Sequence, residues 1–201
     1  MSQEVENKYY KHNFVRVDGK NAFIELSDYP LSIGKMLLRF CHYNPNNDNK
    51  QDNKIDIYLD ILDFLGLCNL VESNYLLKKA DFFKKNNKIN DSLYEKLSGS
   101  TRERAQQLSL PFQLPEGKCV SKTFKIIPST KYCYNLMASY RLGVEADNGL
   151  IIPEGRTLSY IQVPMEHVTL AGLMAYGKLR ITAYETVRIG TFKNEYRFTR
   201  D

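Results

Sequence analysis

The chain has 201 residues, 43% of them hydrophobic and 25% charged, with a formal net charge of +5, no tryptophan, 14 tyrosines and 10 phenylalanines. That composition supplies a core and excludes a disordered or collagen-like chain. No apolar run approaches the roughly 18 residues of a membrane-spanning helix, and the first residues carry neither the basic nor the apolar region of a secretory signal, so the expectation is a cytoplasmic protein with no membrane partner.

Residues 1–100 hold equal numbers of basic and acidic side chains, and the whole positive excess lies in residues 101–201. A basic second half suits an anionic partner. Cys41, Cys68, Cys119 and Cys133 form no C-x-x-C pair and read as reduced, small hydrophobic residues.

In chain order, residues 12–26 read as two short strands joined at Asp18-Gly19-Lys20-Asn21, where Asp-Gly marks a tight hairpin. Ser32 is placed to cap a helix over 33–43, in which Ile33, Met36, Leu37 and Phe40 recur at i, i+3, i+4 and i+7. Residues 44–54, rich in Asn and without an apolar side chain, read as a solvated loop. Ile55, Leu59, Leu62 and Leu65 keep helical spacing, with Asp56, Asp60 and Asp63 on the opposite side, and Gly66 is suited to ending that helix. Leu67–Val71 and Tyr75–Lys78, joined by Glu72-Ser73-Asn74, read as two short strands.

Helix, Leu65-Gly66-Leu67, short strand, turn and Tyr75-Leu76-Leu77-Lys78 together resemble the last helix and wing of winged-helix domains, over about residues 27–88. The resemblance implies a helix in the DNA major groove and a wing on the backbone. Lys54, Lys78, Lys79, Lys84, Lys85 and Lys88 would supply the nearby phosphate contacts. The acidic helix face suits a protein partner better than a groove.

Residues 98–118 combine Gly, Ser, Pro and Gln and read as a linker with a short helix at 101–108. Strands are expected over 121–127, 133–140, 157–163, 178–189 and 191–198. Over 178–189, Ile181, Ala183, Val187 and Ile189 would face one way and Arg180, Tyr184 and Arg188 the other. Paired with the next segment, this gives a cluster of Arg180, Tyr184, Arg188, Lys193, Arg197 and Arg200. Cations interleaved with aromatic rings on a sheet suit single-stranded nucleic acid. The stretches 134–143 and 184–198 also resemble parts of the Cas5 and Csc1 proteins of CRISPR effector complexes, which implies guide-RNA binding within a multi-subunit antiviral assembly.

No catalytic motif stands out. His12, His42 and His167 are isolated, and Glu166-His167 is the sole acid-base neighbour pair. Asp147, Glu154, Glu166 and Glu185 would have to converge for a metal-dependent nuclease, and their spacing does not require it. The sequence therefore predicts an α+β protein with a winged-helix-like module (1–97), a linker (98–118) and a mainly antiparallel β module (119–201). The expected role is non-enzymatic binding of RNA or DNA, without cofactor or metal, as a subunit of a larger assembly. The alternatives are a protein scaffold and a winged-helix regulator of duplex DNA.

Overall fold

The computed structural model describes residues 14–43, 51–108 and 110–197, with the side chains of 14, 51, 52 and 191–197 excepted. The described residues form an α+β fold with two four-stranded antiparallel sheets and four α-helices. The first sheet is a meander of β1 (Phe14–Asp18), β2 (Ala22–Ser27), β3 (Lys35–Tyr43) and β4 (Gln51–Asp60) in that order. Its first turn lies where Asp18-Gly19 marks it, with the Gly19 amide donating to the Ala22 carbonyl at 2.7 Å.

The helix expected over 33–43 is instead the central strand β3, with Tyr29–Ile33 forming a short 3-10 helix before it. Met36, Leu37, Leu38, Phe40 and Cys41 are all buried. A strand covered on both faces is apolar nearly throughout, and such a run satisfies helical spacing by accident.

The next segment also differs from the winged-helix reading. Of the expected loop, residues 44–50 lie outside the described residues and Gln51–Lys54 begin β4. Ile55, Ile57 and Leu59 alternate into the core while Asp56, Tyr58 and Asp60 point away. The carboxylates serve the sheet: Asp56 accepts from Arg39 and Asp60 from Lys35, each at 2.8 Å. Helix α1 (Ile61–Glu72) runs straight through Gly66, and α2 (Tyr75–Lys85) replaces the second wing strand. Between them Asn74 takes a left-handed φ of 57°, which Asn tolerates, so Glu72-Ser73-Asn74 turns one helix into another.

The second sheet is β5 (Tyr94–Ser100), β6 (Cys119–Pro128), β7 (Tyr134–Glu145) and β8 (Ile151–Met165), again in chain order, with α3 (Arg102–Gln106) between β5 and β6. Strands β6 to β8 and the short helix lie where the sequence places them, and β5 takes in residues 98–100 of the expected linker. The last two expected strands are a single helix, α4 (His167–Arg197). Leu170, Leu173, Met174, Gly177 and Ile181 form its buried stripe, and Thr182 and Thr186 donate to the carbonyls four residues back. Their β-branched alternation imitates a strand, but the core is filled at helical period.

One apolar cluster joins both sheets and the helices. The rings of Phe40 and Phe124 lie 5.9 Å apart across it. Polar bridges finish the seam: Lys122 Nζ donates to the Asp56 carbonyl at 3.3 Å, and the Tyr140 hydroxyl donates to the Lys54 carbonyl at 3.2 Å. All four cysteines are free thiols. Burial pushes Cys41 up to about 12 and Cys68 up to about 11, as suits unreactive packing.

Gly177 is where α4 meets α1 and the first sheet. A Cβ there would stand 2.3 Å from Cζ of Phe64 and 2.9 Å from Cδ2 of Leu26, whereas one at Gly172 would meet nothing within 4 Å. Gly177→Ala is therefore expected to lower the unfolding free energy by about 1–3 kcal/mol, and Gly172→Ala to raise it by up to about 1 kcal/mol, in urea denaturation. Equal effects would contradict the packing.

Burial holds Lys122 below its ordinary pKa, with Asp56 acting weakly the other way. A lysine depressed in the folded state costs stability wherever it must stay charged, and the cost disappears once both states are neutral above the unfolded value. The stability of Lys122→Met relative to the parent should fall as pH rises through the folded pKa of Lys122, because the cost of holding that charge disappears from the parent. A pH-independent difference would refute this.

Candidate nucleic-acid interface

Each sheet turns one face into the shared core, and its outer face is partly exposed. On the second sheet the strand registers set three cross-strand rows on the outer face: Leu97-Thr123-Ser139-Tyr160, Glu95-Lys125-Met137-Gln162 and Gly99-Ser121-Arg141-Thr157. Of the six middle positions, Ser121, Thr123 and Ser139 are small hydroxyl residues, all buried, and the other three are Lys125, Met137 and Arg141. The edge residues stand proud, with Tyr160 61% and Leu97 48% exposed. The result is a shallow trough about 14 Å across, three strand spacings, whose hydroxyl residues are themselves closed to solvent and whose edge carries an exposed aromatic ring. At one end Ile151 fills the space above Gly99 and Gly143, where side chains would collide with it. The Ser121 hydroxyl in the floor has no hydrogen-bond partner among the described residues.

The trough's charge is less compensated than that of the other outer face. On the first sheet Arg16 pairs with Asp18, Lys35 with Asp60 and Arg39 with Asp56. Glu25 lies between Arg16 and Arg39, and burial raises its pKa against their pull. Around the trough, Lys125 pairs with Glu95 at 3.1 Å and Lys118 with Glu154. Arg141 donates to the Gly155 carbonyl, a neutral acceptor, which aims its guanidinium without cancelling its charge. Arg156 is exposed on β8, four residues before Tyr160, and has no ion-pair partner among the described residues. The face thus keeps a positive excess beside an exposed ring.

The residues singled out from sequence lie elsewhere, because α4 is a helix. Arg180, Tyr184 and Arg188 follow one another at i, i+4 and i+8 along it instead of sharing a sheet face. Arg180 Nε donates to Asp28 Oδ2 at 2.7 Å, and Arg180 and Tyr184 line an open groove of about 790 Å³ with Tyr29, Ile33, Tyr58 and Val187. Arg188 pairs with Glu185 at 2.6 Å, so that carboxylate is not stranded on an apolar face. The side chains of Lys193 and Arg197, and all of Arg200, lie outside the described residues. Lys78 is exposed on α2, whereas Lys79 donates to the Leu93 carbonyl at 3.1 Å.

Tyr160, Arg156 and Arg141 were legible as a pattern. In Ser159-Tyr-Ile-Gln-Val-Pro-Met165 the apolar Ile161, Val163 and Met165 alternate with Tyr160 and Gln162, a half-buried strand with an aromatic facing out.

The acid-base neighbours are used structurally. Glu166 accepts from the Cys133 thiol at 3.1 Å, and His167 Nδ1 lies 2.8 Å from the Tyr134 hydroxyl. Among the described residues no three His, Cys, Asp or Glu side chains are grouped to hold a metal ion, and no helix is long and apolar enough to cross a membrane.

No family model matches the chain, and no curated protein matches it. Among solved structures it is similar to the plant transcriptional regulator PBF-2, at 14% identity over 92% of this chain and 89% of that one, with a TM-score of 0.49. It is also similar to WHY1 from Arabidopsis thaliana, at 10% identity over 90% of this chain and 93% of that one, with a TM-score of 0.44.

An outward tyrosine that contributes little to the core is expected to be dispensable for folding. Tyr160→Ser should change the unfolding free energy by less than about 0.5 kcal/mol. A larger loss in a thermal or urea melt would make Tyr160 a packing residue and remove the exposed aromatic edge.

Proposed function

We propose that this protein binds single-stranded nucleic acid, without chemistry of its own, across the outer face of its second sheet. The observation that carries this reading is the exposed Tyr160 ring on the outer sheet face, with Arg141 in the neighbouring row of that face and Arg156 exposed on the same strand as Tyr160. A base has a flat face to stack on such a ring only when it is unstacked from its own partners, which favours a single strand over a duplex. Arginines alongside meet the phosphates. RNA held within a nucleoprotein complex, as the Cas5 and Csc1 resemblance implies, is one substrate for the same surface. Arg180, Tyr184 and Arg188 on α4 form a second line of phosphate contact, with Lys78 as a further cation on α2.

Titration of labelled single-stranded RNA, single-stranded DNA and duplex DNA at several salt concentrations tests the reading. Tyr160→Ala should weaken single-strand binding by about 1–3 kcal/mol per stacked base. Arg141→Ala and Arg156→Ala should each lower the slope of log affinity against log salt by about 0.7. Binding unaffected by all three but lost in Arg188→Ala would move the interface to α4. Failure to bind any of the three ligands would sink the proposal.

A further inference from the structure

Helix α2 carries a surface that neither the core nor the trough uses. Leu76 and Ala80 face the core, where α2 packs on β6 among Phe124 and Ile126. Lys79 and Lys84 are turned inward as anchors, donating to the carbonyls of Leu93 at 3.1 Å and Tyr132 at 2.8 Å. This fixes the helix on the sheet side opposite the trough. Its outer face is then Tyr75, Lys78, Phe82 and Lys85, all exposed, with Tyr75 at 52% and Phe82 at 57%.

Their spacing is i, i+3, i+7 and i+10, the seam along which one helix meets another. Aromatic and cationic side chains alternate along it. Lys78 and Lys85 have no hydrogen-bond or ion-pair partner among the described residues. The helix's one acid, Asp81, is exposed three residues from Lys78 and four from Lys85, which leaves this face with a net positive charge. Two large rings left in water are the kind of anchor that dominates a protein interface, and two lysines against one acid beside them select the charge of what covers them.

We infer that the outer face of α2 docks an acidic amphipathic helix of a protein partner. Its apolar stripe would cover Phe82 and Tyr75 while its carboxylates meet Lys78 and Lys85. A rigid helical seam with rings about 10.5 Å apart, two helical turns, fits the repeat of a partner helix. The inference stands on α2 alone and is independent of nucleic-acid binding by the trough.

The test uses the full chain and two labelled peptides of about 18 residues. One carries leucines at heptad spacing flanked by Asp and Glu, and the other has the same composition in scrambled order. Fluorescence anisotropy should show saturable, salt-sensitive binding of the first at least about tenfold tighter than the second. Phe82→Ala and the double variant Lys78→Glu/Lys85→Glu should each weaken it about tenfold or more, with melts unchanged because these side chains are exposed. Single-strand binding should be unaltered in Phe82→Ala, while Tyr160→Ala leaves peptide binding intact. Equal binding of both peptides, or peptide affinity indifferent to the α2 variants, would overturn the inference. Loss of oligonucleotide binding in Phe82→Ala without specific peptide binding would reassign the face to nucleic acid.

Discussion

The structure depends on burying the inner faces of two twisted sheets in one continuous core. Neither sheet does this alone. A four-stranded meander has one apolar face that must be covered. Here the cover comes from the other sheet, through Phe40 against Phe124, and from helices α1, α2 and α4. Gly177 sets the approach of α4, because Phe64 occupies the space a side chain would take. The polar contacts along the seam satisfy carbonyls of β4 that would otherwise lose water without replacement.

The same constraint decides which surfaces remain for function. With every inner face consumed, contact with another molecule falls to the two outer sheet faces and the outer sides of the helices. The first sheet's outer face is occupied by its own ion pairs and by Arg16 lying 3.6 Å above the Phe23 ring. The second sheet's outer face instead has small residues in the middle and an unpaired aromatic at its edge. Exposed rings are also left on α2, so two open surfaces stand on opposite sides of one sheet, an arrangement suited to joining two partners.

Part of the fold was legible, and each failure has its own local cause. Strands β6 to β8 and the first hairpin show in the sequence because turn residues bound them and the apolar positions alternate. Strand β3 does not, since Met36 to Cys41 is buried on both faces and carries no alternation to read. β4 and α1 were merged because Ile55 and Leu59 are four apart, a spacing shared by a helix and by every second step of a strand. In α4 the error ran the other way, with β-branched residues on a solvent-exposed stretch imitating a strand while the deciding contacts, Leu170 to Ile181, lay just upstream. The basic, aromatic sheet face expected over 178–198 is not formed, because that segment is α4, and the face we propose in its place has Tyr160, Arg141 and Arg156 on β7 and β8. Which outer face stays open depends on how far the sheets cover one another, and no local pattern contains that.

The central claim is that nucleic acid lies across the outer face of the second sheet. Photocrosslinking a single-stranded oligonucleotide substituted with a photoreactive pyrimidine, followed by mass mapping of the adducts, reads this directly. Adducts on the β8 peptide containing Tyr160 are expected, with protection of Arg141 and Arg156 from modification. Adducts confined to α4 or α2, with none on β8, would contradict it.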